Sequence, residues 1–396
     1  MKTGLDSDLL RDHRDPQQAS FLELFFDVVY VFALTRISHT LAVDVRWVGA
    51  FQATVLLCAI WLIWAYTTWN INRFNPHRPA IQLMVIGIMA GSLLLSAELP
   101  EAFGRQGLAF ASTYVAIQLG RSAVTAYIMR GRWVEIGSLQ VAIWVCLTVV
   151  PWIVGALAHG TARLSLWTLA VVLSFLPSWT DFWVPKLGAV KIASWKIGEE
   201  HLSERYRQFL IIALGETILS SGFQFAELQF EGKRTAAFLI AFTGTALLWR
   251  IYFYHAAELM PKAFAAAPAP GIFGRSMSYA HLIMVAGIVL TSVGDEVVVT
   301  HPTGSTRPGW VAVILGGAAL FLAGRSRLDH LTFSRLARSR LIGLFVLAVL
   351  AALTPVMVSL PPILVAATVN TVLLGVATSD TIAWRLHPRP PAPPLR

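Results

Sequence analysis

The chain is 396 residues long, 56% hydrophobic and only 13% charged, with a mean hydropathy of +0.63. Soluble domains carry about 25% charged residues, so an ordinary globular core is excluded. The net charge of +9 comes from basic residues that sit mostly between apolar runs, which points to membrane topology and away from nucleic acid.

The apolar runs approach the roughly twenty residues that cross a bilayer's hydrocarbon. Backbone groups there must be satisfied within each segment, and the runs lack the alternation of barrel strands, so they are read as helices. In chain order the predicted spans cover 21–42, 47–69, 80–99, 107–129, 137–159, 164–184, 204–224, 235–258, 277–299, 309–324, 341–359 and 362–383. A polar segment at 1–20 precedes them, and a linker at 185–203 carries Lys186, Lys191 and Lys196 between 21–184 and 204–383. A proline-rich tail at 384–396 follows. The first twenty residues are polar and the first apolar run carries charges, so no cleavable signal peptide is expected. Cys58 and Cys146 fall inside spans as packing residues.

The loops support the count. Twenty Lys and Arg residues fall on the side of both termini, against Arg46, Arg105, Arg163, Lys233, Arg234 and Arg307 on the other, which makes the first side cytoplasmic. The two halves also echo each other. Met84-Val-Ile-Gly-Ile returns as Met284-Val-Ala-Gly-Ile, and Val115-Ala-Ile-Gln-Leu-Gly as Val311-Ala-Val-Ile-Leu-Gly. Pro151 matches Pro355, Asp181 matches Asp380, and Trp64 and Tyr66 match Trp249 and Tyr252. The expected fold is an all-α polytopic membrane protein of about twelve spans, built as two parallel six-helix repeats with both termini cytoplasmic.

Ionisable groups inside spans are costly unless paired or hydrated, so they mark candidate function. Span one carries Glu23, Asp27, Arg36 and His39. Asp27 and Arg36 point to opposite faces about 13 Å apart along the axis, so each needs a partner from another helix. Aligning Ala33-Leu-Thr-Arg36 with Ala213-Leu-Gly-Glu216 sets Arg36 against Glu216 and Asp27 against Arg207. An Arg36–Glu216 bridge is the favoured expectation. His201 and Glu204 have the spacing to share a metal, but no second pair accompanies them, so neither metal nor cofactor is expected. Arg121, Arg250, His255, Glu258 and Glu98 are further polar positions, and Gly87 and Gly91 form a GxxxG read as close helix packing. Candidates for a binding or transport path are Glu23, Asp27, Arg36, His39, Arg121, Glu204, Arg207, Glu216 and Arg250.

Two stretches are distinctive. Phe21-Leu-Glu23-Leu-Phe-Phe-Asp27, running on to Thr35-Arg-Ile-Ser38-His39, resembles the opening motif of the bacterial low temperature requirement A family. His201-Leu-Ser-Glu204-Arg205, running on to Gly215-Glu216-Thr217, is similar to that family's second signature. The chain departs from the family pattern at Arg36, where glutamine is common. The resemblance implies a multi-pass protein of the bacterial inner membrane and names no activity. Three functions stay open: a transporter or channel for a small solute or ion with a polar path between the repeats, an intramembrane enzyme with an acidic and histidine site at the cytoplasmic mouth, and a structural membrane protein whose charges lock the fold.

Overall fold

The structure is a computed structural model that describes residues 9–11, 18–43, 45–131, 135–190, 197–228, 230–254 and 256–386. The tail from 387, most of the 1–20 segment, Lys191, Lys196 and His255 lie outside the described residues. Within them the chain is all-helical, without a strand. The helices are α1 (Phe21–Val43), α2 (Trp47–Ile71), α3 (Pro79–Glu98), α4 (Gly107–Met129), α5 (Glu135–Leu157), α6 (Gly160–Trp179) and α7 (Glu199–Glu227). There follow α8 (Gly232–Phe253), α9 (Ala256–Ala265), α10 (Pro270–Thr300), α11 (Pro308–Phe333), α12 (Arg338–Ala352), α13 (Thr354–Met357) and α14 (Pro362–Leu386).

Local chemistry explains these bounds. Pro79, Pro270, Pro308 and Pro362 each open a helix, where the N–H that proline lacks would go unused. Thr67, Ser96, Ser174 and Ser326 return their hydroxyls to the carbonyl four residues back, which satisfies them inside an apolar medium. Among the described residues nine helices are long and apolar enough to cross a membrane: α2, α3 with its following turn, α5, α6, α7, α8, α10, α11 and α14. The predicted spans fall in helical chain, but α1, α4 and α12 are not among those nine, 341–359 is split between α12 and the short α13, and several ends move. The first helical turns of α7 and α10 begin at Glu199 and Pro270, before the predicted starts at 204 and 277, and α11 runs to Phe333, beyond 324. Hydropathy truncates such helices where polar residues replace apolar ones, as at Arg325 and Asp329, although both are buried. Conversely α8 ends at Phe253 and a short helix, α9, takes up the chain that span eight had claimed.

The chain forms two compact units. The first holds 1–36, 51–205 and 269–275, and the second 37–50, 206–268 and 276–396. The division passes through α1 after Arg36, α7 after Arg205 and α10 after Arg275, so neither unit is one continuous stretch.

In the first unit α4, α5 and α6 close around an aromatic cluster. Trp152 and Trp167 lie 5.2 Å apart, with Phe110 5.2 Å from Trp167 and Tyr114 4.5 Å from Trp152. Arg163, which hydropathy places in an outer loop, is buried and donates to the carbonyls of Ala102, Gly104, Ala156 and Ala158, pinning the chain between α3 and α4 to α6. Of the GxxxG pair, only Gly91 packs closely, since a Cβ there would meet Ile117 at 2.7 Å whereas one at Gly87 would meet nothing within 4 Å.

In the second unit the close approach lies between α10 and α11. A Cβ on Gly317 would stand 2.6 Å from the Thr291 nitrogen, and one on Gly287 2.5 Å from the Phe321 nitrogen. These are backbone neighbours that cannot rotate away. Gly317→Ala is therefore expected to cost about 1–3 kcal/mol through overpacking, while Gly87→Ala costs nothing. Melting temperatures of the two purified variants in detergent check this, and equal values would refute the packing argument.

Candidate functional site

The first unit gathers charges from the start of α1 and of α7. Glu23 and Asp27 are four apart and share one helical face, as do His201 and Arg205. His201 Nε2 lies 2.6 Å from Glu23 Oε1, and Arg205 Nη2 donates to Asp27 Oδ1 at 2.5 Å. Trp64 Nε1 donates to the same Asp27 oxygen at 2.8 Å. Arg205 Nε and Arg11 Nη2 each stand 3.8 Å from Glu23. All four central side chains are buried with 0% exposure, so the network is closed to solvent.

Secondary contacts fix its protons. Asn72 exchanges hydrogen bonds with the Gly198 backbone, accepting from its N–H at 2.9 Å and donating to its carbonyl at 3.0 Å. That orients the amide nitrogen towards His201 Nδ1, 2.9 Å away, which makes Nδ1 the acceptor and Nε2 the donor to Glu23. Glu23 also reaches back to the Ser20 N–H at 2.7 Å while Ser20 caps α1, a reciprocal Ser-x-x-Glu box. Glu204 accepts from the Ala19 N–H at 2.9 Å and so also holds the chain entering α1. Outside the spans, burial pulls the Arg73 guanidinium down to about 10, which leaves it charged at neutral pH.

The second unit holds a different kind of site. Glu216 on α7 accepts from the Ser38 hydroxyl at 2.7 Å and the Ser292 hydroxyl at 3.0 Å, both on Oε1. On α10, Glu296 Oε1 meets His39 Nδ1 at 3.1 Å and the Gln224 amide at 3.2 Å. Asp295 is the neighbouring acid, and Glu216 feels both Asp295 and Glu296 electrostatically. One oxygen of each acid, Glu216 Oε2, Asp295 Oδ2 and Glu296 Oε2, is buried without a hydrogen-bond partner. Among the described residues no three His, Cys, Asp or Glu side chains converge to hold a metal ion.

The remaining candidates are separate. Arg250 donates to Thr381 at 2.9 Å and lies over the Tyr254 ring. Arg121 is buried among neutral groups of the first unit. Arg36 and Arg207 are half-buried.

The register drawn from sequence is corrected by two residues. It set Asp27 against Arg207, yet the partner is Arg205. Arg205 and Arg207 project about 200° apart on α7, so only one can face α1. The observed pairs Glu23–His201, Asp27–Arg205 and Ser38–Glu216 are all 178 residues apart, where the motif alignment implied 180. Glu216 consequently takes the hydroxyls of Ser38 and Ser292 in place of the guanidinium of Arg36.

Both clusters draw residues from the two distinctive motifs, Glu23, Asp27, Ser38 and His39 from the first and His201, Arg205 and Glu216 from the second, and comparison with known proteins bears on those motifs directly. The family model described as bacterial low temperature requirement A protein matches residues 18–378. The chain belongs to the bacterial low temperature requirement A family. It is 32% identical over 381 residues to an uncharacterized protein of Rhizobium meliloti (strain 1021), a match covering 95% of this chain and 92% of the relative. No solved structure matches it. Family membership and the nine apolar helices make this low temperature requirement A protein a multi-pass membrane protein.

Several residues of these two clusters lie outside the sequence candidates. Asp295 and Glu296 are not among the sequence candidates, although an acid inside an apolar run is the signal that marks Glu23 and Asp27. Ser20 three residues before Glu23 was a legible capping box. Asn72 and Gln224 carry no such signal, because a polar residue near a span end is ordinary.

Proposed function

We propose that the protein is a proton-conducting transporter or channel whose relay runs through Glu216, Asp295 and Glu296, with His39 at its rim. The observation that carries this reading is the set of three buried carboxyls that each leave one oxygen unmatched and have no permanently charged partner among the described residues. An ionised carboxylate in hydrocarbon needs a counter-charge, so groups placed this way hold a proton or hand one on. His39 is a basic neighbour of Glu296, and imidazole can both take up and release a proton. Its side chain is 48% exposed, and the proposal places the entry point there. The carboxyls favour a proton over a metal cation because they are too dispersed for three to share one ion.

The first unit's network differs in kind. His201 has both ring nitrogens engaged, and Asp27 and Glu23 are matched by Arg205 and Arg11, so it serves as a tie between α1 and α7. The frame for the relay is the topology of twelve spans in two parallel repeats, with both termini cytoplasmic, in the bacterial inner membrane.

Liposomes loaded with a pH-sensitive dye and polarised by a potassium gradient with valinomycin test the proposal. Wild type is expected to acidify the lumen faster than empty liposomes, and Glu216→Gln to abolish the difference. Wild-type flux indistinguishable from empty liposomes, or undiminished flux in a triple Glu216→Gln, Asp295→Asn, Glu296→Gln variant, would overturn it.

A further inference from the structure

Arg121 lies on α4 with 2% exposure, and no carboxylate is among its contacts. The helices around it explain why. α2 has no charged residue, the acids of α3 and α5 are the terminal Glu98 and Glu135, and on α1, whose Tyr30 also faces Arg121, the acid Asp27 is taken by Arg205. Other buried arginines are treated differently: Arg205 meets Asp27, Arg325 and Arg340 meet Asp329, and Arg163 is satisfied by four carbonyls.

A guanidinium has five N–H donors. Nη1 donates to the Ile63 carbonyl at 3.3 Å and the Thr67 hydroxyl at 3.5 Å, and Nη2 donates to Gln118 Oε1. Among the described residues no acceptor meets Nε–H or the second Nη2 hydrogen. These two nitrogens form the side edge of the guanidinium, the edge that takes a planar oxyanion by two parallel bonds. The Tyr66 ring lies 5.1 Å from the guanidinium carbon, and Gln118 is held by donating to the Tyr114 hydroxyl at 2.8 Å.

We infer that Arg121 is a binding site for a small monovalent oxyanion of the carboxylate or nitrate type. One buried positive charge, two free donors on one edge and neutral walls match one delocalised negative charge and select against divalent anions, which would carry an uncompensated charge into the site. The inference rests on the transport reading only for treating the anion as cargo. Binding itself is measured without flux, so failure of one is separable from failure of the other.

The test uses the purified full chain in detergent with sodium formate or nitrate titrated against gluconate at constant ionic strength. Wild type is expected to show a saturable rise in Tm of at least about 2 °C, absent in Arg121→Gln. Equilibrium binding of radiolabelled formate to wild type, competed by nitrate, supplies a readout that needs no variant. Saturable, nitrate-competed binding supports the site. No saturable binding, or an identical Tm response in Arg121→Gln, overturns it.

Discussion

Arg205→Met is expected to destabilise the protein by about 3–5 kcal/mol, because it removes one side of a buried ion pair and leaves the other charged. Among the described residues Asp27 then keeps only the Trp64 indole on Oδ1, with Oδ2 already bare, and Glu23 loses one of its two cationic neighbours, Arg11 and Arg205. Arg205→Lys is expected to rescue little, since an ammonium cannot present the fork that reaches both acids at once. Combining Arg205→Met with Asp27→Asn should recover more than half the loss, as the stranded charge is then gone. Thermal unfolding of the purified variants, followed by size-exclusion monodispersity, measures each step. A single variant as stable as wild type would mean that the pair contributes nothing to the fold.

Which parts of this arrangement were legible beforehand follows from what each depends on. The helices depend on length and apolarity, which are local, and most predicted spans land on a single helix, with 235–258 and 341–359 each divided between two. The importance of Glu23, Asp27 and Glu216 depends on charge in an apolar run, which is local too. Their partners depend on how α1 and α7 lie side by side, and that is where the reading slipped by two residues. The motifs align at Ala33 and Ala213, but packing is set by side-chain shape, and a shift of two exchanges Arg207 for Arg205 and Arg36 for Ser38. Arg163 shows the same limit. Position alone makes it a loop cation, and only the fold brings four carbonyls around it. Gly87 is the converse, a helix-packing signature at a position facing open space.

Asp329 provides the other large effect and separates stability from transport. Its two oxygens each accept from a different arginine, Arg325 on its own helix four residues earlier and Arg340 on α12, all three nearly fully buried. Arg340 continues to Asp380 on α14 at 2.6 Å, where Ser339 also donates at 2.5 Å, while among the described residues Arg325 has only the Ile251 carbonyl at 3.1 Å besides Asp329. Asp329→Ala therefore strands Arg325, whereas Asp380→Ala leaves Arg340 still paired. The first is expected to cost about 3–5 kcal/mol and the second clearly less. Asp329→Asn should fall between them, since an amide accepts on one atom only. The order of the three melting temperatures is the check, and a larger loss for Asp380→Ala would reverse the argument. Proton flux per correctly folded molecule is expected to survive Asp329→Ala, because every charge in this string has a fixed partner, whereas the acids of the proposed relay do not. Loss of flux without loss of stability would move Asp329 from the scaffold into the path.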